Sequence, residues 1–137
     1  TCQLAGDGRM RVMVVVCGAN GERSLIIEKA VEKFARENFE RIIQISACTV
    51  AASPILVRMS GGDPEHLVAV SGCRNRCSEL ILKRAGMVPK VSVVLDDAVE
   101  RELGKCESCA KFMFPDIKEE EWISFAKMMT DAIDRAL

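Results

Sequence analysis

The chain has 137 residues, 49% of them apolar, and 19 Lys and Arg against 20 Asp and Glu, for a formal net charge of −1. A chain of this size buries about 68–70% of its unfolded surface, so one domain with a real core is expected without staples. Near-neutral charge speaks against nucleic acid or an anionic membrane surface as partner, the apolar fraction excludes disorder for most of the chain, and no apolar run reaches the ~18 residues of a membrane span.

Residues 1–9 (TCQLAGDGR) are polar and read as a frayed lead-in to a single domain over 10–137. Met10–Cys17 (MRVMVVVC) is Val-rich and reads as a buried strand, followed by a loop over Gly18–Gly21. Ser24–Phe39 is a helix, with Ile27, Ala30, Val31, Phe34 and Ala35 on one stripe. Arg41–Ala47 is a second strand, then a short helical turn near Thr49–Ala52 and an irregular crossover over Ser53–Pro64. His66–Val70 is a third strand, leading to a second helix over Cys73–Ala85 with Gly86 as its stop. Val91–Leu95 is a fourth strand, and Asp96-Asp97 would cap a short helix running to Leu103 and ending at Gly104. Glu119–Leu137 is a long amphipathic helix carrying Trp122, Phe125, Ala126, Met129, Ile133 and Ala136 on its apolar stripe. Strands apolar on both faces, alternating with helices, imply an α/β three-layer sandwich around a four-stranded, mainly parallel sheet.

Seven cysteines (2, 17, 48, 73, 77, 106, 109) are many for one small domain, and an odd number beside apolar runs does not read as a secreted disulfide framework. A reducing cytoplasm and a metal-binding or redox role are expected instead. Cys17 and Cys48 end the first two strands, while Cys73 follows the third and Cys77 lies four residues on. In a parallel sheet those carboxyl ends share an edge. If Cys73 and Cys77 lie on one helical face, their Cβ atoms are about 5–6 Å apart, within reach of the ~3.8 Å sulfur spacing implied by Zn–S bonds of about 2.3 Å. Four thiolates on a divalent ion leave an excess of two negative charges, and Arg23, Arg74 and Arg76 stand in the same loops as candidate donors. Cys106-Glu-Ser-Cys109 is a second thiol pair, and a grouping of Cys73, Cys77, Cys106 and Cys109 remains an alternative.

The strand ending in Cys-Gly (Val14–Gly18), SACTVAAS at 46–53, SGCRNRC at 71–77 and VSVVLDD at 91–97 together resemble a zinc-binding family named for a central Asp-Gly-Cys motif, the DGC domain. The resemblance covers most of 10–97. It implies a zinc site made by four cysteines, carried over here as Cys17, Cys48, Cys73 and Cys77. The family's Asp is Ser71 in this chain. A hydroxyl there can still accept a backbone N–H near a helix start.

Two rival readings use the same thiols. Cys17-x5-Arg23-Ser24 between a strand and a helix is similar to the phosphate loop of low-molecular-weight phosphatases and arsenate reductases. Cys17 would then be the nucleophile, Arg23 the bidentate oxyanion binder, Ser24 a donor to the thiolate and Asp116 the acid. Ser24 is otherwise an ordinary N-cap and Arg23 a solvated helix-start residue. Four cysteines also suit an iron–sulfur cluster, although zinc is simpler without a compact CxxCxxC run. Four cysteines saturate a tetrahedral zinc, which favours a structural, sensing or metal-handling role over hydrolysis.

Overall fold

A computed structural model describes residues 11–17, 22–55, 63–103 and 117–137, with backbone alone for 63–65. Strand β1 (Val12–Val16) is buried along its whole length, as five consecutive apolar residues require. Helix α1 (Glu22–Asn38) starts two residues before the expected point, so Ser24 is its third residue and not its cap. Strand β2 (Ile42–Ser46) passes directly into helix α2 (Ala47–Ala52). The switch is made by Ser46, whose backbone is extended and whose hydroxyl accepts the Thr49 N–H at 3.1 Å. Cys48 therefore lies in a helix, where a strand end was expected.

Strand β3 (Asp63–Ser71) begins earlier than the sequence suggests and takes in Asp63-Pro64. Its register against β1 explains how: Val12 pairs with Asp63 but Met13 with Leu67, so the first residues form an irregularity where a proline is tolerated. Helix α3 (Cys77–Arg84) starts four residues later than expected. It ends as expected at Gly86, whose φ of +82° is available to glycine without strain. Gly86 N–H reaches Lys83 O at 3.0 Å and Met87 N–H reaches Leu82 O at 2.9 Å, a Schellman closure. Strand β4 (Val91–Val94) runs into a single 3-10 turn at Leu95–Asp97, and the helix expected through Leu103 does not form. Helix α4 (Glu119–Ala136) closes the chain; its Glu121 carboxylate accepts the Lys118 N–H at 2.8 Å.

All three strand pairs are parallel and the order is β2-β1-β3-β4. Alternate residues of the central strands face opposite layers. Val12, Val14, Val16, Val68 and Val70 pack on Ile26, Ala30 and Phe34 of α1 and Phe125, Met129 and Ile133 of α4. Met13, Val15, Leu67 and Ala69 pack on Ala47 and Val50 of α2 and Leu82 of α3. The result is the expected three-layer α/β sandwich. The chain leaves β1 toward β2, then returns across it to β3, so α1 and α3 cover opposite faces. That makes the carboxyl ends of β1 and β3 the topological switch point, where a parallel sheet opens a crevice.

Candidate functional site

Cys17 directly follows β1. Its N–H donates to Val70 O at 2.9 Å, carrying the β1–β3 ladder one step further. Its side chain is half-buried against the α2/α3 core. Cys48 is the second residue of α2 and is exposed. Cys73 lies two residues beyond the end of β3, is 9% exposed, and its carbonyl accepts the Arg76 N–H at 3.1 Å in a tight turn. Cys77 opens α3 and is half-buried. Ser78 donates its hydroxyl to Val70 O at 2.8 Å, so one carbonyl of β3 fastens both the end of β1 and the start of α3.

The four cysteines thus come from three strand-to-helix junctions on one rim, and none is in a disulfide. They share the rim without closing on one point: among the described residues, no three Cys, His, Asp or Glu side chains form a group fit to hold an ion as they stand. Sulfur donors of this kind are chemically suited to zinc. The i, i+4 helical pairing expected of Cys73 and Cys77 is corrected by the structure. A turn separates them, ending at Arg76 with φ +53°, the left-handed region. The helix start accordingly lies at Cys77, not at Cys73.

The arginines of the rim are all paired. Arg23, 5% exposed, is a buried residue and not a solvated one. Its guanidinium forms a two-pronged ion pair with Asp96, including Nη2 to Oδ2 at 3.1 Å, and donates to Gly72 O at 2.7 Å and Leu103 O at 3.4 Å. Hydrogen bonding from Arg23 holds the Asp96 carboxyl below its ordinary value. The charge expected to meet an incoming oxyanion is therefore committed to a carboxylate. Arg74 pairs with Asp97 at 3.1 Å, and Arg76 lies 3.6 Å from Glu79 and 3.5 Å from the Ser92 hydroxyl. Ser71 is 1% exposed, and its hydroxyl has no hydrogen-bond partner among the described residues. A cavity of about 300 Å³ lies elsewhere; its lining among the described residues includes Arg101, Glu121 and Ser124 and no cysteine.

The family model of the DGC domain matches residues 13–119. The chain belongs to the DGC-domain family. Curated proteins and solved structures gave no match. All four rim cysteines fall within the matched DGC region, as does Ser71. Cys2, Cys106, Cys109 and Asp116 lie outside the described residues. No helix among the described residues is long and apolar enough to cross a membrane. The residue that sequence reasoning missed in this DGC domain is Asp96. Its neighbour Asp97 shared the same reading as a helix cap, whereas each aspartate pairs with an arginine of the rim.

Proposed function

We propose that this DGC domain binds zinc through Cys17, Cys48, Cys73 and Cys77 at the carboxyl rim of its sheet. The observation that supports this reading is that the four thiols come from three strand-to-helix junctions on one rim, Cys17 packed against the α2/α3 core and Cys48 and Cys77 carried by α2 and α3. Soft sulfur donors suit zinc. With four of them, zinc would supply a closed tetrahedral centre and no open position for a substrate. The role is metal handling or thiol-based sensing in a reducing compartment such as the cytoplasm, and the partner is the ion itself. Exposed Cys48 is the thiol that an arriving ion meets first.

Metal analysis of anaerobically purified protein tests this. About one zinc per chain, lost in Cys17→Ser and in Cys73→Ser, supports the reading. Iron with visible sulfide-to-iron absorption moves it to an iron–sulfur cluster, and failure of the reduced protein to take up any metal removes it. Turnover of p-nitrophenyl phosphate abolished by Cys17→Ser would replace it with the phosphatase reading.

A further inference from the structure

A buried arginine in the first turn of a helix breaks two local rules. A cation there opposes the helix dipole, and stripping water from a guanidinium costs several kcal/mol unless partners replace it. Arg23 is the second residue of α1 and is 5% exposed. Such local conflicts mark places where something other than local stability has been selected. The partners show what. Asp96 ends the strand-to-turn passage after β4, and Gly72 directly precedes Cys73. Leu103 is the last described residue before the stretch that holds Cys106 and Cys109. One planar group thus ties the start of α1 to the turn after β3 and to two points of the segment after β4, over sequence separations of 49, 73 and 80 residues.

We infer that Arg23 is the positioning residue of the thiol rim, fixing the Gly72–Cys73 turn relative to α1 and the end of β4. Asp96 aims the guanidinium; the remaining N–H groups hold the Gly72 carbonyl, and with it the backbone from which Cys73 projects. Lysine cannot do this, because a point ammonium lacks the planar fork that engages a carboxylate at two atoms and carbonyls beside it. This rests on the zinc reading only for its consequence. The placement of Cys73 is independent of any metal.

The experiment compares the full-length wild type with Arg23→Lys, reduced and metal-free, by brief iodoacetamide labelling and peptide mapping of each cysteine. Wild type is expected to protect Cys73 relative to exposed Cys48. Arg23→Lys is expected to label Cys73 several-fold faster with Cys48 unchanged, while cooperative unfolding persists. Zinc affinity, measured by competition with a chromophoric chelator, is expected to fall about 10–100-fold, the usual loss when support for a metal ligand is removed. Unchanged Cys73 labelling in folded Arg23→Lys overturns the inference, whatever zinc does. Equal acceleration at all four rim cysteines overturns it as well, since that is general loosening. Where Arg23→Lys does not fold, Asp96→Asn, which keeps the shape and loses the charge, carries the same comparison. If wild type takes up no zinc while Cys73 still responds, the zinc reading falls and the positioning role stands.

Discussion

Asp96 works only in its ionised form, and that gives the rim a pH signature. Its folded carboxyl is held below the ordinary 3.8, first by the Arg23 hydrogen bond and then by the charges of Arg23 and Arg74. A depressed value means that the stabilisation is complete above the unfolded pKa and is lost as pH falls through the folded one. Wild-type urea midpoints should therefore drop on acidification below about pH 4 more steeply than those of Asp96→Asn. At pH 7 the same substitution should cost about 2–3 kcal/mol. That is less than the 3–5 kcal/mol of a fully buried pair, because the Asp96 side chain keeps 20% of its exposure. Ser71 should behave in the opposite way. Its buried hydroxyl has no partner among the described residues, and an unmet polar group costs about 1–3 kcal/mol. Ser71→Ala should leave the metal-free protein as stable or more stable by up to about 1 kcal/mol in urea melts. A loss of that size would mean the hydroxyl is satisfied in solution.

Among the elements, the turn before α3 is where sequence and structure part most sharply. CRNRC contains no glycine or proline, so helical periodicity ran straight through it to Cys73. The chain instead breaks at Arg76, in a conformation that costs an L-residue roughly 1–2 kcal/mol. Arg76→Gly should remove that strain at the loss of two long contacts, to Glu79 at 3.6 Å and to the Ser92 hydroxyl at 3.5 Å, the half-exposed ion pair being worth at most about 1 kcal/mol. A rise of about 0.5–1 kcal/mol in thermal or urea melts is expected. Other elements were legible for physical reasons. Val12–Val16 is apolar on both faces, which only a covered parallel strand accommodates. The α4 stripe of Phe125, Met129 and Ile133 repeats at helical spacing and is buried as read. The turn at Leu95–Asp97 was not legible, because its two aspartates look like caps until Arg23 and Arg74 are brought beside them. Arg23 and Asp96 stand 73 residues apart, and no local pattern encodes a pairing over that distance.

On the scale of the whole molecule, the rim exists because β1 and β3 are neighbours while their following helices go to opposite faces. Hydrophobic runs placed Cys17 correctly at the end of β1 and Cys48 and Cys73 only to within two residues of their strands, but the order β2-β1-β3-β4 that joins them was not legible, since it depends on which crossovers pack best. On the proposed reading that topology would make zinc a bridge between distant parts of the chain, and so a probe of the grouping. A ligand stabilises only to the extent that the unfolded chain fails to bind it. Cys73 and Cys77 alone form a short-range pair that an unfolded chain also offers to zinc, and such a site would give little protection. Ligands drawn from β1, α2 and the turn before α3 are gathered only by the fold. With free zinc at 100 times its dissociation constant, the rim site should add about 2.7 kcal/mol, on the order of 10 °C in Tm for a domain of this size. The shift should vanish in Cys17→Ser and shrink strongly in Cys48→Ser. Its persistence in both would transfer the site to Cys73 and Cys77 with Cys106 and Cys109, leaving Cys17 as a small buried side chain of the α2/α3 core.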